Sequence, residues 1–149
     1  MLLKDIYTPD AVCCGPQTHA LDAARLMRHK HVGDLVVVDD PNDARTPLGV
    51  VTDRDLVVEV LGNGLDPATT TLASLMHTPV VIAKETDDTS QVIERMRMHG
   101  VRRVPVVNDQ GAVVGIITLA DLLRAFVTDA NALLDVVAKG QQHERRSRR

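Results

Sequence analysis

Gly49-Val50-Val51-Thr52-Asp53-Arg54-Asp55-Leu56 runs from apolar residues straight into Thr-x-x-Asp, and Gly115-Ile116-Ile117-Thr118-Leu119-Ala120-Asp121-Leu122 does the same. The apolar part reads as a strand. Thr followed three residues later by an acid reads as a capping box, in which the hydroxyl and the carboxylate each satisfy a free N–H at a helix start. Each stretch therefore predicts a strand turning directly into a helix. Capping alone accounts for the motif, yet a helix N-terminus with a hydroxyl beside it also suits a phosphate. A carboxylate one turn in can accept both hydroxyls of a ribose. Asp53 and Asp55 stand at i and i+2, so they point to different helix faces and make no acid–base pair.

The two stretches belong to a repeat. A shift of 69 positions superimposes the chain on itself from Leu3/Leu72 to Asp40/Asp109, with identities at Val12/Val81, Met27/Met96, Val32/Val101 and Val38/Val107. Past that point the shift is 66, matching Gly49/Gly115, Thr52/Thr118, Asp55/Asp121 and Leu56/Leu122. The change falls between Asp40–Pro47 and Asn108–Gly111, where turns tolerate length differences. Each half predicts a short lead-in helix (Leu3–Tyr7, Leu72–Met76) and an extended segment (Ala11–Cys14, Val80–Ala83). An amphipathic helix follows, capped by Thr18 or by Asp88 with Gln91. Its apolar stripe is Ala20, Ala23, Ala24 and Met27 in one half, and Thr89, Val92, Ile93 and Met96 in the other. Two strands (Leu35–Val38 and Leu48–Val51; Val104–Val107 and Val113–Ile117) lead to the second helix. The order β-α-β-β-α twice over predicts an α+β fold with small sheets covered by helices. We divide the chain as 1–62, first domain; 63–71, linker; 72–128, second domain; 129–149, a C-terminal helix (Ala130, Leu133, Leu134, Val137) ending in a disordered basic tail.

Composition narrows the function. Of 149 residues 44% are hydrophobic, but only Tyr7 and Phe126 are aromatic, which excludes modules that stack bases on aromatic platforms. Residues 139–149 carry a net +4 within a total of −3, so the rest carries −7, and an acidic body argues against nucleic acid as a partner. No apolar run is long enough to cross a membrane, and the N-terminus lacks a signal-peptide pattern, so a cytoplasmic setting is expected. Adjacent Cys13 and Cys14 form no disulfide framework.

The tandem halves, the segments His31–Val38 and Gly100–Val107, and the doubled strand–Thr-x-x-Asp–helix unit together resemble the CBS-domain pair family over residues 3 to about 127. The likeness is to stand-alone bacterial members, including stress- and hypoxia-response proteins. The resemblance implies a regulatory module and not an enzyme, with two domains packed in pseudo-twofold symmetry. It implies two clefts for adenosine compounds: AMP, ADP or ATP, sometimes S-adenosylmethionine or NAD. Asp55 and Asp121 would hold ribose hydroxyls, and Thr52 and Thr118 would face phosphates. Val12, Val32, Val80 and Val101 would enclose the adenine. Arg103 matches a position that often contacts phosphate, and Arg54 adds a second cation. Their counterparts are Asp34 and Ala120, so the clefts should be unequal. A homodimer signalling to a partner protein is also implied.

Other chemistry has less support. Arg102-Arg103 also reads as a solvated pair guarding a strand edge. His29, His31, Cys13 and Cys14 lack metal-ligand spacing. No nucleophile elbow, phosphate-binding Gly-Lys loop or dinucleotide fingerprint is present. The alternatives to nucleotide sensing are a nucleotide-free interaction scaffold and a metal or thiol sensor. With so few rings, any adenine must be held by aliphatic side chains and backbone.

Overall fold

The computed structural model describes residues 1–148. The first half holds strand β1 (Thr8–Pro9), β2 (Cys13–Cys14), helix α1 (Ala20–Lys30), β3 (Asp34–Val38), β4 (Pro47–Thr52) and the short α2 (Asp53–Asp55), which widens into a π-helical stretch, Leu56–Leu61. The second half holds β5 (Ala83–Lys84), α3 (Thr89–His99), β6 (Arg103–Val107), β7 (Val113–Thr118) and α4 (Leu119–Ser147). In each half a parallel pair (β2 with β3, β5 with β6) is extended by an antiparallel one (β3 with β4, β6 with β7), so the predicted β-α-β-β-α order is realised twice.

The sheets are β2-β3-β4 and β1-β7-β6-β5. Strand β1 comes from the N-terminus, yet it pairs antiparallel with β7 of the second half, Thr8 opposite Ile116. The lead-in segments, here single 3-10 turns at Leu3–Asp5 and Leu72–Ser74, are exchanged between halves. Leu3 is fully buried with Val92, Val104 and Ile117, and its N–H donates to the Asp87 carbonyl at 3.0 Å. Leu72 is fully buried with Ala23, Leu35 and Val51, and its N–H donates to the Thr18 carbonyl at 2.9 Å. A cut at residue 62 therefore separates the halves in sequence but leaves residues 3–9 on the second sheet.

Burial alternates along β4, while β7 is buried on both faces at Gly115, Ile116 and Ile117. A third cluster, Val36, Val38, Val107, Val113 and Ile116, packs between the two sheets and joins the halves. The exchanged segments also explain two glycines. A Cβ on Gly49 would lie 2.8 Å from the Cβ of Met76, and one on Gly115 would lie 2.4 Å from the Thr8 carbonyl oxygen. Both glycines sit where the other half's lead-in crosses the strand.

Three expectations change. The α1 helix is not capped by Thr18; it starts after His19, with no side-chain cap. Ala24 and Ile93 are equivalent positions, and both face outward instead of completing the apolar stripes. The basic tail is not disordered through residue 147: it continues α4 as one helix, while Arg149 lies outside the described residues.

Candidate functional site

Thr52 and Thr118 each stand at a helix N-cap in extended conformation, as the sequence pattern requires. The Asp55 N–H donates to the Thr52 Oγ1 at 3.2 Å and the Thr52 N–H to the Asp55 Oδ2 at 2.9 Å. The Thr118–Asp121 box repeats this at 3.1 and 2.9 Å. Each turn is also latched to the residue just before the neighbouring strand, β3 or β6: the Asp53 N–H donates to the Gly33 carbonyl, and the Leu119 N–H to its counterpart, the Arg102 carbonyl. Capping consumes one carboxylate oxygen of each aspartate and leaves the other available. For Asp121 the free Oδ1 is approached by Arg124 at 3.4 Å; for Asp55 it is approached only by His77, at 3.7 Å.

The first box opens onto a cleft of about 330 Å³ between the halves. One wall is Val50, Thr52, Asp53, Arg54 and Asp55 from the end of β4; the other is His77, Pro79, Val80, Val81, Val101, Arg102 and Arg103 of the second half. Six of the ten residues singled out from sequence meet there: Thr52, Arg54, Asp55, Val80, Val101 and Arg103. Val12, Val32, Thr118 and Asp121 do not line this cleft; they are the repeat equivalents of Val81, Val101, Thr52 and Asp55, which do. Sequence reasoning missed Val50, Asp53, His77, Pro79 and Arg102. His77 and Pro79 stand between the lead-in turn and Val80, and only the exchange of that turn shows where they point.

The two pseudo-equivalent charges, Asp34 and Arg103, bond to each other: Arg103 Nη1 donates to Asp34 Oδ2 at 3.0 Å. Burial pushes the Asp34 carboxyl above the ordinary carboxylate value, while the Arg103 guanidinium pulls it back and Asp53 pushes it further up. Arg103 is the first residue of β6, an inner strand between β7 and β5, so it does not guard a sheet edge. Tyr7, one of the two aromatic residues, packs in the second core and donates its hydroxyl to Glu85 at 2.8 Å; it does not line the cleft. Among the described residues no three of His, Cys, Asp and Glu stand together as metal ligands. Burial, with Cys13 adjacent, pushes the Cys14 thiol up to about 11, which keeps it protonated and unreactive at neutral pH. Among the described residues no helix is long and apolar enough to cross a membrane.

Two sheet-and-helix halves, related by a pseudo-twofold and enclosing a cleft at the start of the second helix, define a tandem-domain α+β protein. The chain belongs to the CBS domain family, whose model matches residues 3–62 and 72–128. It is 31% identical over 120 residues to an uncharacterised Methanopyrus kandleri protein, MK0525, covering 80% of this chain and spanning 60% of that protein's length. It is 33% identical over 121 residues to hypoxic response protein 1 of Mycobacterium tuberculosis, covering 81% of this chain and 82% of that one. A crystal structure of hypoxic response protein I with two coordinated zinc ions superimposes with TM-score 0.72 at 34% identity, over 83% of this chain and 98% of that one. The CBS domain pair of protein MJ0100, crystallised with 5-methylthioadenosine and S-adenosyl-L-methionine, superimposes with TM-score 0.75 at 26% identity, over 87% and 98%.

Proposed function

We propose that this chain is a regulatory module that binds an adenine nucleotide (AMP, ADP or ATP) in the cleft between its halves and passes occupancy to a partner as a homodimer. The observation that carries the reading is the meeting of the first capping box with the cations of the opposite half. The free Oδ1 of Asp55 suits ribose hydroxyls, and the Thr52 hydroxyl with Arg54 and Arg103 suits phosphate oxygens. Val50, Val80, Val81 and Val101 form the aliphatic wall for the base. A cleft of this size stands at the small end of ligand pockets, as a mononucleotide requires. The adenosine compounds held by the MJ0100 pair support the ligand class. Arg54, Arg102 and Arg103 favour anionic phosphates over the cationic sulfonium of S-adenosylmethionine, and NAD is the larger alternative. Val12, Val32, Thr118 and Asp121 form the weaker second site in this reading.

Self-association is supported by equivalent apolar positions on the second helix of each half. Val57 matches Leu123 and Leu61 matches Val127, and all four are exposed. Such a doubled patch suits a second copy related by twofold symmetry.

Calorimetry with AMP, ADP, ATP and S-adenosylmethionine tests the assignment. Wild type should bind a phosphate-bearing ligand, Asp55→Ala and Arg103→Ala should each weaken it tenfold or more, and Asp121→Ala should change it less than threefold. Thermal unfolding of each variant separates lost contacts from lost fold. Unchanged affinity in folded Asp55→Ala would sink the site. The Asp34–Arg103 ion pair favours the second reading, a nucleotide-free scaffold, because it already occupies the phosphate-facing cation. That reading predicts no heat with any adenosine compound and a stable protein partner.

A further inference from the structure

Helix α4 runs 29 residues, about 44 Å, and only its first turns lie against the body. The family model ends at residue 128, so residues 129–147 lie outside the two family domains. Within α4, Leu123, Phe126, Val127, Leu133, Leu134 and Val137 follow the 3- and 4-residue spacing of one helix face, with Ala130 at the centre. Each of the six large side chains is between 46% and 69% exposed. Beyond Val137 the same face turns polar, through Gln141, Glu144, Arg145 and Arg148.

We propose that this face is the seat of a second copy of the same helix, lying antiparallel and centred on Ala130. The proposal rests on the homodimer reading above and is independent of nucleotide binding. The sequence of the face is self-complementary in that arrangement. Leu123 stands level with Val137 of the second copy, Phe126 with Leu134, Val127 with Leu133, and Ala130 with itself. Sliding the second helix by two turns one way would set Leu123 and Phe126 against Glu144 and Gln141, and sliding it the other way would carry Val137 past the helix start at Leu119 into the body of the second copy. An in-register parallel pair also matches like with like, but charge separates the two arrangements. Residues 139–149 carry +4, and a parallel pair would hold two such ends side by side. In the antiparallel pair the Arg145 positions lie about 45 Å apart, several Debye lengths. Each basic end then runs toward the other copy's body, which carries −7. Opposite net charge meets opposite net charge on both sides of the twofold axis.

Disulfide trapping on the full-length chain in a Cys13→Ser/Cys14→Ala background, read by non-reducing gels and peptide mass spectrometry, tests the orientation. Ala130→Cys should cross-link to itself, Val137→Cys alone should not, and Leu123→Cys/Val137→Cys should join 123 of one copy to 137 of the other. Self-linking of both single variants would show a parallel pair and overturn the proposal, as would no linking in any variant. Sedimentation equilibrium adds a readout free of new cysteines. Leu133→Asp/Leu134→Asp should weaken dimerisation at least tenfold while leaving the melting temperature of the monomer unchanged, since both side chains are exposed in the single chain. A dimer undiminished in that variant would overturn the helix pairing and spare the homodimer reading; a monomeric wild type would overturn both.

Discussion

Asp34 and Arg103 hold equivalent places in the two halves, and a twofold axis brings equivalent places that lie near it face to face. One half's anion therefore neutralises the other half's cation at the mouth of the cleft. The pair has a cost: Asp34 is mostly buried, and desolvation raises its carboxyl above the ordinary value despite the arginine. The sign of the resulting pH dependence follows. Below the unfolded carboxylate value both states hold the proton and the contribution is complete. As pH rises through the higher folded value, the native state gives up a proton that the unfolded state has already lost, and stability falls. Asp34→Asn should abolish that decline in urea unfolding measured between pH 4 and 7. It should also free Arg103 and raise affinity for a phosphate-bearing ligand severalfold in calorimetry. Weaker binding in Asp34→Asn would mean that the carboxylate positions the arginine for the ligand instead of competing with it.

At the scale of elements, the capping boxes separate structure from binding. Thr118→Ala and Thr52→Ala each remove a side-chain cap, with an expected loss of about 1 kcal/mol of stability. Only Thr52 lines the cleft, so only Thr52→Ala should also reduce nucleotide affinity, by about tenfold for one charge-assisted hydrogen bond. Equal losses of affinity in both variants would place the ligand at both boxes. Caps also show what the sequence could and could not reveal. The α3 start was legible because its partners are local: Asp88 accepts from the Ser90 N–H and its own N–H donates to Gln91. The Ser90 N–H and hydroxyl, with the chain's N-terminal ammonium, hold the Asp88 carboxyl down at about 2. The α1 start was not legible. Its free N–H groups are met from the linker, Ala20 donating to the Thr70 carbonyl and Leu21 to the Pro67 carbonyl. Backbone carbonyls some fifty residues away leave no mark in side-chain pattern. Likewise the strand–Thr-x-x-Asp–helix units could be read residue by residue, whereas the opposite wall of the cleft, His77 and Pro79, could not.

At the scale of the molecule, the exchange of lead-in segments decides how the halves depend on each other. Leu3 and Leu72 are equivalent under the repeat, and either would be buried whether it packed on its own half or on the other. Burial patterns in a duplicated sequence therefore leave the choice open, and the glycines decide it sterically. Gly115 has no room for a Cβ because Tyr7 and Thr8 of the other half cross it, and Gly49 has none because Met76 does. The chain begins by completing the second sheet, so the second half cannot reach its native edge without residues 3–9. Leu3 is fully buried against Val92, Val104 and Ile117, and Leu3→Ala should cost about 2–5 kcal/mol, the range for a leucine truncated inside a core. The location of the damage is the sharper test. Native-state hydrogen exchange should show protection falling first in β5, β6, β7 and α3, which lie more than seventy residues away in sequence, while β2, β3 and β4 hold theirs. Loss confined to residues 1–38 would mean that the N-terminus stabilises its own half, and would contradict the exchange.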